Sequence, residues 1–290
     1  MVDFNISSLE EALDITSTNN VTPVAGGTDL MVRFKSLSKN EATVENPLMI
    51  AHLPELKGIF KNKRALVIGA CTTLSEIINS DKIPEIFKNA LSEIGSPGIR
   101  NQGTLGGNIC NASPAGDSLP LLYLFKAKLV LVSKESERIV PIEEFIIGPG
   151  RTIRKSSEIL TQIIIENEYL SDKYSYIFEK IGNRKADAIS KATFGIKVGI
   201  ENGVVIDIEA AFGAMGPKVT LLNREIKELI LGESFPLTNL DKIVLKDKLF
   251  NLLTPIDDQR STAEYRKHVA LNLLNFYLTT ENNLRKIGKQ

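Results

Sequence analysis

Between Ile94 and Asp117 the chain carries six glycines and two prolines among small polar side chains, with apolar segments on either side. So much glycine is unfavourable in a regular helix and offers little surface for a core, so an irregular loop is expected. Such a loop lets backbone N–H groups approach an anionic or polar ligand closely. A second segment of the same kind, Val24-Ala25-Gly26-Gly27-Thr28-Asp29-Leu30, lies near the N-terminus. Two tight loops in one chain point to one large ligand held at two places.

The 290 residues exceed one domain of usual size. Basic and acidic residues balance at 35 each, so no net field draws the chain to nucleic acid or to an anionic membrane. No apolar run approaches the roughly 20 residues that span a bilayer. Met1-Val2-Asp3-Phe4 lacks the basic-then-apolar pattern of a signal peptide, and the cytoplasm is the expected location. Cys71 and Cys110 make neither a disulfide framework nor a zinc motif. His52 and His268 are far apart and read as structural or exposed, so no metal site and no catalytic residue is expected.

Local signals divide the chain into an α/β unit at 1–57, a mixed unit of strands and helices at 58–170 and an α+β unit at 171–290. In the first, Ser8 and Glu11 read as a capping box for a short helix with Leu9, Ala12 and Leu13 inward. Strands are expected at 21–25 and 48–50. In the second, 65–70 reads as a strand, Thr73 and Glu76 as another capping box, and Pro84 as the first turn of a further helix. A short helix at 119–125 and strands at 128–133 and 159–165 follow. The third unit opens with strands at 176–180, 193–200 and 204–211, the last two joined by the hairpin turn Glu201-Asn202-Gly203. Helical segments are expected at 223–230 and 240–250. A final helix capped at 261–264 is expected to place Tyr265, Val269, Leu273 and Phe276 on one side.

Neither glycine segment is a familiar phosphate motif. The first has no lysine where a P-loop requires one, and it is not the G-x-G-x-x-G of a dinucleotide fold. Thr28 adds a hydroxyl donor to the first loop. In the second loop, Thr104-Leu105-Gly106-Gly107-Asn108 repeats the device, and Asp117 follows a turn that would fix its position. The first loop alone is equally compatible with a structural turn, and a structural glycine-rich crossover is the lesser alternative for the second. Together they favour a diphosphate-bearing nucleotide over a mononucleotide.

An ordered set of segments resembles the FAD-binding subunit of the molybdenum hydroxylases, the family of xanthine dehydrogenases, aldehyde oxidases, carbon monoxide dehydrogenases and nicotinate dehydrogenases. The segments are 25–30, 53–59, 68–74, 99–108, 145–152, Arg184-Lys185-Ala186 and 258–266. The resemblance implies an α+β chain. Two subdomains would form an FAD-binding fold of the vanillyl-alcohol oxidase (PCMH) type, and a C-terminal α+β domain with a small antiparallel sheet would follow. By position, Val24, Ala25, Gly26, Gly27, Thr28, Asp29 and Leu30 would wrap the diphosphate. Thr104 would donate to the cofactor, while Gly106, Gly107 and Asn108 keep their loop close. Asp117 would accept from FAD, Leu160 would touch the adenine portion, and Ile94 would make an apolar contact where relatives can have an aromatic one. Lys180 resembles a lysine near the cofactor, with a solvated strand-end lysine as the alternative. Lys191 either influences the flavin or faces water.

The resemblance also implies an electron-transfer role. FAD would accept electrons from [2Fe–2S] clusters on a small partner subunit and pass them to NAD or another acceptor. The organic substrate would be oxidised at a molybdopterin cofactor on a large partner subunit, and two such heterotrimers would pair. No cysteine-bearing insertion for a [4Fe–4S] cluster is present, which argues against the benzoyl-coenzyme-A reductase branch. Segments 109–114 and 148–152 look closer to xanthine or aldehyde enzymes than to carbon monoxide dehydrogenase, the alternative within the family. A self-contained flavin oxidoreductase and a cofactor-free assembly subunit are the competing classes.

Overall fold

The computed structural model describes residues 5–32, 46–185, 187–239 and 241–280, together with the backbone of 285–286. Ser8 starts the helix Leu9–Thr18 by accepting the Glu11 N–H, and Glu11 reaches back to the Ser7 N–H at 2.6 Å. Ala12 is fully buried, with Leu9 and Leu13 half-buried beside it. Strand β1 (Thr22–Val24) then pairs in parallel with β2 (Pro47–Met49). Ile6, Leu48, Leu53 and Leu56 fill the space between helix and strands.

The second unit is built on a five-stranded antiparallel sheet ordered β3 (Ile59–Lys61), β4 (Ala65–Gly69), β9 (Ile159–Glu166), β5 (Lys128–Val132) and β6 (Glu137–Pro141). Two further strands, β7 (Ile146–Gly148) and β8 (Arg151–Thr152), form a separate small hairpin. The Thr73 side chain caps the helix Leu74–Ile78 and Glu76 completes the box. Pro84 immediately precedes the helix Glu85–Ser92, whose Phe87, Ala90 and Leu91 enter the core.

The glycine-rich segment departs from the expected irregular loop. It contains two short helices, Pro97–Gln102 and Leu105–Asn111. The Ser96 and Thr104 hydroxyls cap them, accepting the N–H groups of Ile99 and Gly107. Leu105 and Ile109 are fully buried in the main core. Caps and apolar burial together outweigh a glycine penalty of about 0.5–1 kcal/mol per residue.

The C-terminal sheet is ordered β13 (Thr220–Leu221), β12 (Val204–Gly213), β11 (Ala192–Glu201), β10 (Tyr174–Ile181) and β14 (Arg285–Lys286). Asn202 and Gly203, both at positive φ, turn the hairpin between β11 and β12. The helices Arg224–Glu228, Lys242–Leu252 and Ala263–Thr279 follow. Leu240, where the middle one was expected to begin, lies outside the described residues. The last helix is rotated from its expected orientation. Its buried side is Arg266, Ala270, Leu274, Tyr277 and Leu278, whereas Tyr265 and Phe276 are exposed and Val269 and Leu273 half-buried. The stripe one residue further on packs Ala270, Leu274, Tyr277 and Leu278 into the core with the sheet, and Arg266 at its start is buried against the Ala214 carbonyl and Asp258. The helix Leu119–Leu124, buried at all six positions, joins this sheet to the second unit.

Candidate cofactor cleft

A cleft of about 470 Å3 opens between the glycine-rich segment and the C-terminal lobe. That volume falls within the range of about 300–1,000 Å3 typical of small-molecule and cofactor sites. The first loop meets the second directly. A Cβ added at Gly26 would fall 1.9 Å from the Gln102 carbonyl oxygen, and one at Gly106 would stand 2.6 Å from that of Ala70. Glycine is required at both places because the opposing atoms are main chain.

Asp29, Ile94, Asn108 and Asp117 line the cleft. Asn108 is steadied by the Ser118 hydroxyl, which donates to its Oδ1 at 2.6 Å. Asp117 is 7% exposed, and its Oδ2 accepts from Lys180 Nζ at 2.8 Å. Lys180 Nζ also donates to the Glu93 carbonyl at 2.7 Å, so it is an interior side chain and not a solvated strand end. Burial pushes the Asp117 carboxyl up, while the Lys180 charge and the Lys180 and Ser190 hydrogen bonds pull it back.

Other expected positions stand apart from the cleft lining. Val24 is buried at the end of β1, Ala25 packs on the N-terminal core, and Leu30 begins a short helical turn. Thr28 lies beside Gly103. Thr104 and Gly106 are buried, and the Thr104 oxygen is occupied by the Gly107 N–H. Gly107 is exposed, and Leu160 lies in the main core on β9. Lys191 places its ammonium over the Tyr265 ring at 5.4 Å. His52 bonds the Ile6 carbonyl and His268 packs edge-on against Phe250. Burial pushes the Cys71 and Cys110 thiols up to about 12 and about 11. Among the described residues no cluster could hold a metal ion, and no helix is long and apolar enough to cross a membrane.

The far wall was not assigned from the sequence. It is made by Ala214, Thr254, Ile256, Asp258, Arg260 and Arg266. Arg266 is 3% exposed and donates to the Ala214 carbonyl at 3.1 Å and to Asp258 at 2.7 Å. Arg260 takes the second Asp258 oxygen at 3.0 Å. Burial opposes ionisation of Asp258, yet the Arg260 and Ser261 N–H groups and the two guanidiniums hold its carboxyl down at about 2. Ala214, in the left-handed region at φ 58°, donates its N–H to the Pro114 carbonyl at 2.8 Å, tying this wall to the glycine-rich segment.

A family model described as the FAD binding domain in molybdopterin dehydrogenase matches residues 4–166, and one described as the CO dehydrogenase flavoprotein C-terminal domain matches residues 178–280. The chain belongs to the FAD-binding subunits of the molybdenum hydroxylases. It is 30% identical over 273 residues to the glyceraldehyde dehydrogenase medium chain of Sulfolobus acidocaldarius, covering 90% of this chain and 91% of that one. The nicotinate dehydrogenase FAD-subunit of Eubacterium barkeri is 28% identical over 268 residues, covering 87% and 88%. A solved carbon monoxide dehydrogenase from Hydrogenophaga pseudoflava shares the fold, with a TM-score of 0.83 over 95% of this chain and 96% of that chain at 24% identity.

The FAD subunit thus has the two-subdomain fold of the vanillyl-alcohol oxidase type, followed by an α+β domain with an antiparallel sheet. Its residues fit FAD. Two glycine contacts leave a close backbone surface, and a buried carboxylate is held at the cleft as a hydrogen-bond acceptor. The far wall had one sequence signal, the resemblance of segment 258–266, which marks Arg260 and Arg266 without giving them a role.

Proposed function

We propose that this FAD-binding electron-transfer subunit serves a xanthine- or aldehyde-dehydrogenase-like enzyme and passes electrons to NAD or another acceptor. Its partners would be a small [2Fe–2S] subunit and a large molybdopterin subunit, paired as two heterotrimers. The observation that carries the site is the single cleft bringing Asp29, Ile94, Asn108 and Asp117 together. In this reading the turn 24–30 and the segment 104–108 hold the FAD diphosphate. Asn108 and Asp117 orient the cofactor by hydrogen bonds, and Lys180 keeps Asp117 in place. Leu160 supports the adenine side from the core. When bound, FAD supplies the redox chemistry as an electron store between the partner's clusters and the acceptor. The domain limits follow as 1–57 and 58–170 for the cofactor subdomains and 171–290 for the covering domain. The subunit works in the cytoplasm, which suits two free cysteines.

The branch assignment is supported by relatives named as a glyceraldehyde dehydrogenase medium chain and xanthine dehydrogenase FAD-binding subunits. Carbon monoxide dehydrogenase medium chains match at 27% and 30% identity, so that branch is the second reading. Purification with native partners, with assays of aldehydes, purines and carbon monoxide against NAD and artificial acceptors, tests the proposal. Oxidation of aldehyde or purine with reduction of NAD is expected. Carbon monoxide oxidation alone, or turnover by the isolated FAD-loaded chain, would overturn it.

A further inference from the structure

Asp117 lines the cleft and is gripped from across it. It stands on the segment between the helices Leu105–Asn111 and Leu119–Leu124, whereas the groups that hold it come from the C-terminal lobe. Ser190, just before β11, donates its hydroxyl to Asp117 Oδ1 at 2.5 Å, and Lys180 on β10 donates to Oδ2 at 2.8 Å. Ser190 is 1% exposed. A carboxylate offers about four lone-pair sites, so two bonds from the protein leave room for bonds to a ligand.

The charges around this carboxylate are unevenly shared. Lys180 also faces Glu93, at the end of the helix Glu85–Ser92, and Glu179 is close enough to Glu93 to act on it. Glu179 itself accepts from the Tyr277 hydroxyl. Lys180 therefore answers to both the Asp117 and the Glu93 carboxylates. The Ser190 hydroxyl is a neutral donor committed to Asp117 alone, and a donor of this kind stabilises the ionised form.

We propose that Ser190 is a positioning residue for the cofactor, fixing the Asp117 carboxylate as an acceptor so that the C-terminal lobe governs FAD retention and its dependence on pH. This rests on the reading that Asp117 contacts FAD. As pH falls, protonation removes acceptor capacity from Asp117 and leaves Lys180 without its counter-charge, so FAD is released on the acid side. Loss of the Ser190 donor favours the protonated form, and release then begins at higher pH.

The test follows FAD release by flavin fluorescence across pH, using the full chain assembled with its native partners. Wild type is compared with Ser190→Ala, Ser190→Thr and Asp117→Asn, and the thermal midpoint of each FAD-free protein is recorded. Ser190→Ala is expected to bind FAD about tenfold more weakly and to release it at higher pH, while Ser190→Thr restores both. A release profile of Ser190→Ala that overlays wild type would overturn the role of Ser190. Wild-type affinity and pH profile in Asp117→Asn would instead overturn the placement of Asp117 against the cofactor. If Ser190→Ala does not fold, Ser190→Cys, of similar size but a weaker donor, serves in its place. Its release is expected to begin at higher pH than that of wild type, and an unshifted profile overturns the proposal.

Discussion

Gly98 and Gly106 lie in neighbouring short helices, where propensity alone makes alanine the better residue by about 0.5–1 kcal/mol. Their surroundings reverse the sign for one of them. At exposed Gly98 an added Cβ meets only Ser96 Oγ, at 3.9 Å. At Gly106 it would stand 2.6 Å from both the Ala70 Cβ and carbonyl oxygen, and 2.9 Å from the Ala70 Cα. No rotamer change relieves an overlap with main chain, and the Gly106 N–H is already bonded to that carbonyl at 2.9 Å. Overpacking of this kind costs about 1–3 kcal/mol, which exceeds the propensity gain. With the propensity gain subtracted, Gly106→Ala is expected to cost up to about 2.5 kcal/mol, to lower the thermal midpoint by up to roughly 10 °C at about 2–4 °C per kcal/mol, and to lower FAD content. Gly98→Ala should leave FAD content unchanged and raise the midpoint slightly. Thermal denaturation with FAD quantification decides the matter, and a Gly106→Ala midpoint at or above wild type refutes the argument.

The folded Asp258 carboxyl, at about 2, lies below its ordinary 3.8, so its contribution to stability is complete above about pH 4 and fades as pH falls toward 2. Asp258→Asn should flatten the acid limb of a stability-against-pH curve in that window, and an unchanged slope would contradict the assignment. Leu274→Ala, at a fully buried position on the last helix, is expected to cost about 2–5 kcal/mol in denaturant unfolding. Tyr265→Ala, on the exposed side, should cost under about 1 kcal/mol, chiefly through the lost Lys191 contact. Equal losses at the two positions would restore the orientation expected from the sequence.

Signals confined to a few neighbouring residues were legible. Thr73 and Glu76 cap their helix as expected, and Asn202-Gly203 turns its hairpin, because both depend on short-range hydrogen bonds and φ. The short edge strands β3 and β6 gave no usable pattern, since each exposes several of its five or fewer residues. Helix within the glycine-rich segment was hidden because caps at Ser96 and Thr104 compete with glycine propensity, and burial of Leu105 and Ile109 decides the outcome. Of the candidate site, Asp29, Ile94, Asn108 and Asp117 were marked by the two glycine segments and their resemblance. Arg266 was marked only by the resemblance of segment 258–266 and was given no role, because that role depends on the carbonyl of Ala214, 52 residues away.

The helix Leu119–Leu124 sets how the cleft can move. Leu121 and Leu124 pack against Gly195 in the middle of β11, while Leu119 and the run from Leu121 to Phe125 belong to the main core. A segment immersed in apolar contacts on every side acts as a rivet between lobes and resists shear and hinge motion alike. Parting the lobes would expose that whole surface to water, whereas the cleft mouth is bounded by short surface segments carrying the exposed Ile189 and Ile256. The two walls of the cleft are therefore tied to each other through that buried helix.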